Sequence, residues 1–129
     1  MTTWERTARA MLEPLLGVAA TQELIDRDGR PSPRFVEAAY SPESLLSAGE
    51  RAIVQVALTL WNSFNDAPLG ELLSRTSAAE LAHILDCLEC WNRLRWQDGE
   101  ALERLGELRR ATIGGGGAAW RCLSHHRSF

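Results

Sequence analysis

The pattern of apolar and polar positions is dominated by residues 47–64, a segment that is apolar on more sides than any other. Its apolar residues recur at both strand and helix spacing, but Ser47 followed three residues later by Glu50 is a capping box and favours a helix. The polar residues of the segment form one narrow stripe: Arg51, Gln55, Thr59 and Asn62. The pattern therefore predicts a central helix that neighbouring elements cover on most of its circumference.

Helical spacing of apolar residues recurs along the rest of the chain, and helix-start and helix-stop signals divide it into elements. They predict a first helix to about residue 16, a short helix over 21–27, two short segments after Ser32-Pro33 and Ser41-Pro42, a brief helix from 69, a long helix over 77–95 and a last helix to about 112. Pro14 falls inside the first helix and is expected to kink it or end it early. No alternating strand pair joined by a hairpin turn occurs.

These elements predict an all-α fold, a single compact bundle of five to seven helices over residues 1–112, with helix 47–64 central and the helix from 77 packed against it. The expected core on these two helices is Ile53, Ala57, Leu58, Trp61, Leu81, Leu85 and Leu88. Four consecutive glycines at 114–117 predict a hinge. Residues 113–129 would then form a flexible or docking C-terminal tail.

Composition and charge narrow the class of protein further. The chain has 129 residues, 45% of them hydrophobic, which is enough for one core without disulfides. Fourteen arginines against 17 acidic residues give a net charge of -3, which argues against a general binder of nucleic acid or anionic membranes. No apolar run is long enough to span a bilayer, and the N-terminus shows no pattern of a secretory signal. With three cysteines, an odd number read as free thiols, these features predict a small acidic protein of the cytoplasm.

A possible metal site is the most specific-looking pattern. His83, Cys87 and Cys90 have spacings of four and three, which place them on one face of the long helix. The tail could complete a tetrahedral zinc site with further donors: Cys122, His125 and His126. The alternative is that the two helix cysteines are ordinary small residues near the core, because zinc-binding cysteine pairs usually lie on tight turns. Zinc is thus a cofactor only if these residues form a metal site, and no cofactor is expected otherwise.

A second alternative is a DNA-binding regulator. The short helix from 69 and the long helix from 77 have the outline of a helix-turn-helix, and Arg93 and Arg95 would contact phosphates. The turn lacks glycine, however, and the second helix carries Asp86 and Glu89, which phosphates repel. Two consecutive helices of a bundle explain the same pattern, so the sequence argues against nucleic acid as the partner.

No signature of catalysis appears. The glycine run lacks the lysine and hydroxyl residue of a phosphate-binding loop, and neither a nucleophile elbow nor a zinc-protease pair of histidines occurs. We therefore expect no enzyme. Apolar residues at element ends or in the tail are candidates for partner binding: Trp4, Trp96, Trp120, Leu123 and Phe129. They favour a non-catalytic helical protein-binding module, an accessory, regulatory or inhibitory subunit whose partner is another protein or assembly or a second copy of itself.

Overall fold

The structure is a computed structural model and is described for residues 1–62 and 68–113. Within these residues the chain forms seven α-helices and no strand, so the predicted all-α bundle is confirmed. The helices are α1 (Thr3–Leu16), α2 (Val18–Leu24), α3 (Pro33–Tyr40), α4 (Ala48–Trp61), α5 (Leu69–Arg75), α6 (Ala78–Leu94) and α7 (Gly99–Arg110). None of these described helices has the length and apolar content that a crossing of the bilayer needs.

Local capping residues set the starts of the longer helices. The backbone N–H of Glu50 donates to the hydroxyl of Ser47, and the Glu50 carboxylate accepts from the Ser47 N–H, so the predicted capping box of α4 is formed. Ser77 and Glu80 make the same pair of bonds at the start of α6. At the start of α1 the Thr2 hydroxyl accepts from the backbone N–H of Glu5. Each bond satisfies an N–H that has no partner within its helix.

The helix at the centre of the bundle is α1, so the prediction that residues 47–64 form the central helix is wrong. Helix α1 packs against α2, α4, α6 and α7, and ten of its 14 residues are buried. The apolar pattern did not indicate this, because Thr7, Arg9 and Glu13 complete the buried circumference. Buried polar groups of this kind are stable only when they are paired, and their pairing lies beyond the reach of a hydrophobic pattern.

The other helices form two groups on either side of α1. Helices α6 and α7 pack against each other and against α1, whereas α2, α3, α4 and α5 follow one another around its other side. The main partners of α6 are thus α1 and α7, and the predicted packing of this helix on α4 is wrong. Helix α5 ends against the start of α4, where a side chain at Gly49 would collide with the carbonyl of Arg75.

Several predicted boundaries differ from the structure. The short helix predicted over 21–27 spans Val18–Leu24 instead, because the Asp26 carboxylate accepts from the N–H groups of Asp28 and Arg30 and organises a turn there. Ser41-Pro42 begins a turn and not a helix. Pro14 lies inside α1 without ending it. Phe64, predicted as the end of the helix over 47–64, lies outside the described residues.

The predicted core is confirmed for Ile53, Ala57 and Leu58, which are buried on α4. It is wrong for Trp61 and Leu85, which are 45% and 52% exposed. Leu81 and Leu88 are only partly buried against the core. Trp61 lies at the last position of α4, where its ring packs edge-on against Trp4 at 5.4 Å between ring centroids.

Candidate partner-binding surface

Helix α6 is rotated away from the orientation that its hydrophobic pattern predicts. The predicted core positions of this helix were Leu81, Leu85 and Leu88, but its buried residues are His83, Ile84, Cys87 and Cys90. Leu85 is 52% exposed as a result, and Leu81 and Leu88 are half-buried. A helix normally buries its largest apolar side chains, so this orientation must be held by contacts on the buried side.

One such contact joins His83 to the carbonyl of Ala10 in α1. Because Pro14 has no N–H, the carbonyl of Ala10, four residues earlier, loses its normal donor within the helix. His83 supplies that bond, with Nε2 at 2.7 Å from the Ala10 oxygen, and its ring is buried. An unsatisfied buried carbonyl would cost about 1–3 kcal/mol. Inward placement of His83 therefore stabilises α1 at its proline and fixes the rotation of α6.

The two described cysteines line the same buried face. Cys87 Sγ lies 3.8 Å from His83 Nε2, and burial raises the pKa of both the Cys87 and the Cys90 thiols while it lowers the pKa of His83. Both cysteines are unpaired. Uncharged thiols and a neutral imidazole are the forms that an apolar interior favours.

The structure gives the metal prediction no support among the residues that it describes. In residues 1–62 and 68–113, no three His, Cys, Asp or Glu side chains are grouped so that they could hold a metal ion. His83 is already bonded to the Ala10 carbonyl through Nε2. The remaining candidates lie outside the described residues: Cys122, His125 and His126. The combined zinc site stays a prediction.

Helix α5 carries a second exposed apolar face. Leu72 is buried against the core, whereas Leu69 and Leu73, four residues apart on one face, are 63% and 56% exposed. Only two residues, 76 and 77, separate α5 from α6. We define the leucine surface as the apolar side chains that these two helices leave uncovered or half-covered: Leu69, Leu73, Leu81, Leu85 and Leu88.

A charged groove of about 360 Å³ runs between α6 and α7 beside the leucine surface. Five carboxylates and two guanidinium groups line it: Asp86, Glu89, Glu100, Glu103, Glu107, Arg93 and Arg104. Glu89 lies four residues after Leu85 on α6, so the acidic edge of the groove adjoins the leucine surface. This side of the molecule is therefore apolar with a negatively charged border.

The arginines proposed for nucleic-acid binding are poorly placed for it. Arg93 lies 2.6 Å from the Asp98 carboxylate and 3.5 Å from that of Glu100, and its guanidinium lowers the pKa of Asp98. Arg95 is exposed at the C-cap of α6. Because α5 packs on α4 and α6 packs mainly on α1 and α7, the two helices are not paired as in a helix-turn-helix. Binding to DNA stays a prediction without a supporting contact in the described chain.

The five candidates for partner binding divide into three cases. Trp4 is 4% exposed, donates from Nε1 to the carbonyl of Ala57 at 2.9 Å and packs against Phe35, so it is a core residue and not a surface candidate. Trp96 is 77% exposed between α6 and α7, which is compatible with contact to a partner. The other three candidates lie outside the described residues: Trp120, Leu123 and Phe129.

Sequence reasoning missed the leucine surface because it assigned the leucines of α6 to the core. One signal was available in the sequence. A proline in the interior of α1 leaves a carbonyl in need of a donor, and a histidine on an otherwise apolar helix is a suitable donor. Pairing His83 with this carbonyl would have predicted that His83 is buried and that Leu85 is exposed.

Comparison of the chain with protein-family models, curated proteins and solved structures finds no match.

Proposed function

We propose that this chain is a non-catalytic helical protein-binding module, an accessory, regulatory or inhibitory subunit of a larger assembly, and that its partner binds on the leucine surface. The observation that carries the proposal is the exposure of Leu85 on a helix that buries a histidine and two cysteines instead. The two unpaired thiols favour a cytoplasmic location.

The chemistry of the surface supports a protein partner. Leu69, Leu73 and Leu85 each keep more than half of their area exposed. Complete burial of a leucine side chain is worth about 1.5–3 kcal/mol, so a partner gains part of that energy at each position that it covers. Exposed apolar groups with a polar rim are typical of protein interfaces, and an exposed apolar helix face is a surface on which an amphipathic helix of a partner can pack.

The test compares two charged substitutions in the full-length chain. Leu85→Arg alters the leucine surface, and Leu45→Arg alters a leucine that is 67% exposed on the connection between α3 and α4. Each protein is immobilised and exposed to an extract of its native host, and retained proteins are identified by mass spectrometry. We expect Leu85→Arg to lose a specific partner that Leu45→Arg retains, because an anchor residue is worth about 2 kcal/mol or more.

Two further measurements make the result decisive. Circular dichroism must show that both variants keep the helical spectrum, because an unfolded chain would lose every partner. Light scattering on the full chain tests whether the partner is a second copy. If the wild type retains no specific protein and does not self-associate, or if both variants bind equally well, the leucine surface is not a binding site and the proposal is wrong.

A further inference from the structure

We infer that the C-terminal segment, residues 114–129, binds in cis to the α6 part of the leucine surface, around Leu81, Leu85 and Leu88. The inference rests on the proposed function in one respect, which is that both use the leucine surface. The segment would therefore compete with a partner for it. The argument uses the position at which the described chain ends, the length and apolar residues of the segment, and its charge.

The described chain ends close to the surface in question. Helices α6 and α7 are antiparallel, because Arg93 near the end of α6 contacts Asp98 at the start of α7, and Arg104 contacts Asp86 at 3.3 Å further along. The end of α7 therefore lies beside the first half of α6. Ile113 is still partly buried against the core. The chain thus leaves the described region next to the helix that carries Leu81 and Leu85.

The segment is long enough to cover this face. Leu81 and Leu88 are seven residues apart on α6, which is roughly 10 Å along a helix axis. Trp120 follows Ile113 by seven residues, a distance of roughly 23 Å in extended chain. Trp120 and Leu123 can therefore both reach the leucines of α6. These two residues are the large apolar groups that a half-covered leucine face would bind.

The charges of the two partners are complementary. The segment 114–129 contains Arg121 and Arg127 and no acidic residue. The acidic edge of the surface includes Glu89, 4.0 Å from Arg93, and Asp86, 3.3 Å from Arg104. These two are among the five carboxylates that line the groove with only two arginines, so the edge keeps an excess of negative charge. The segment would place its aromatic and leucine side chains on the leucines and its arginines at the acidic edge. Opposite charges beside an apolar contact fix the register of such an interface.

The experiment uses the full-length chain and a label on its own cysteine. Cys87 and Cys90 are buried, and burial raises the pKa of both thiols, so a thiol-reactive nitroxide modifies Cys122 in preference. Peptide mass spectrometry verifies the modified site. A second label at Ser128→Cys in a Cys122→Ser chain repeats the measurement at a different position. NMR then reports which leucine and valine methyl groups the nitroxide broadens.

We expect loss of signal at Leu81, Leu85 and Leu88 and retained signal at Leu45 and Val36. Leu85→Arg should restore the Leu81 and Leu88 signals by repelling the arginines of the segment, whereas Leu45→Arg should leave their loss unchanged. Higher salt should weaken the effect, because the edge contacts are exposed ion pairs. Broadening that appears equally across the molecule, or nowhere, would overturn the inference.

The control for a second copy is a mixture of isotope-labelled chain without nitroxide and unlabelled chain with nitroxide. Signal loss in the mixture as strong as in the single sample would mean that another molecule is the occupant, which also overturns binding in cis. The partner assay separates the two proposals. If the nitroxide shows no contact but Leu85→Arg still loses a partner, only this inference fails. If contact is seen but Leu85→Arg keeps every partner, only the proposed function fails.

Discussion

The buried regions on the two sides of α1 differ in the kind of side chain that they contain. Toward α3 and α4 the buried groups are aromatic and aliphatic, with Trp4 packed against Phe35 at 5.7 Å between ring centroids. Toward α6 and α7 they include a histidine, two thiols and an ion-paired network, in which Glu13 accepts from Arg9 at 3.2 Å and from Arg109 at 2.7 Å. The first side is mainly apolar and has few polar contacts, such as the bond from Trp4 to the Ala57 carbonyl, whereas the second depends on ion pairs and on the bond of His83.

This difference has a consequence for the surface. Because His83 and the cysteines occupy the inner face of α6, the leucines of that helix are displaced outward. On the other side of α1, Phe35 and Val54 are buried, although α3 and α4 also expose large residues: Val36 is 49%, Tyr40 42% and Trp61 45% exposed. The polar interior beneath α6 thus accounts for the exposure of Leu85 and the partial exposure of Leu81 and Leu88, which are the α6 part of the proposed binding surface.

The largest effect is expected on the apolar side, for Phe35→Ala. Phe35 is fully buried against Trp4, so its removal leaves a cavity and should lower the free energy of unfolding by about 3–5 kcal/mol. Urea unfolding monitored by circular dichroism measures this loss. Val36→Ala, at the adjacent exposed position of α3, is the matched control and should change stability little. A loss below about 1 kcal/mol for Phe35→Ala would mean that this side is not tightly packed.

A smaller effect is expected from Glu13→Gln, which disrupts the buried ion pairs on the polar side. Arg9 and Arg109 would lose the charged acceptor that they share, at a cost of about 2–3 kcal/mol. Glu23→Gln removes the exposed pair with Arg34 and should cost less than about 1 kcal/mol. Equal losses for the two variants in thermal or urea unfolding would contradict the distinction between a buried and an exposed network.

The bond between His83 and Ala10 predicts a pH dependence. Burial lowers the pKa of His83 below its ordinary value of 6.5, so the unfolded chain binds a proton more readily than the folded chain. The stability contributed by neutral His83 is therefore complete above about pH 6.5 and is lost as pH falls toward the lower folded pKa. Urea unfolding between about pH 7 and about pH 5 measures the slope.

His83→Gln tests whether this residue is the source of the slope. Its amide can still donate a hydrogen bond but does not titrate, so the variant should show a weaker pH dependence than the wild type. His83→Ala removes the donor and should cost about 1–3 kcal/mol at neutral pH. An unchanged slope in His83→Gln would assign the effect to other groups.

The smallest effect is expected on the leucine surface itself. Leu85→Ala removes a side chain that is 52% exposed and should change the free energy of unfolding by about 0.5 kcal/mol or less. The neighbouring Ile84→Ala, at a fully buried position of the same helix, should cost about 2–5 kcal/mol. If the two substitutions cost the same, α6 is not rotated as described, and the leucine surface loses its basis.

The sequence by itself determined the helical class and the starts of most helices. Capping bonds act between residues three apart, as between Ser47 and Glu50 or Ser77 and Glu80, so they can be read from a short window of sequence. The start of α3 at Pro33 follows from the same kind of local rule, since proline fits the first helical position. Such signals depend only on neighbours along the chain.

The tertiary structure alone decided which helix is central and which face of α6 is buried. Both depend on polar contacts between residues far apart in sequence: Glu13 and Arg109 are separated by 96 positions, and His83 and Ala10 by 73. A hydrophobic pattern ranks side chains by their cost of exposure and cannot register that a buried charge or carbonyl has a distant partner. Because the bond between His83 and Ala10 holds the rotation of α6, the position of Leu85 at the surface is evident only in the folded chain.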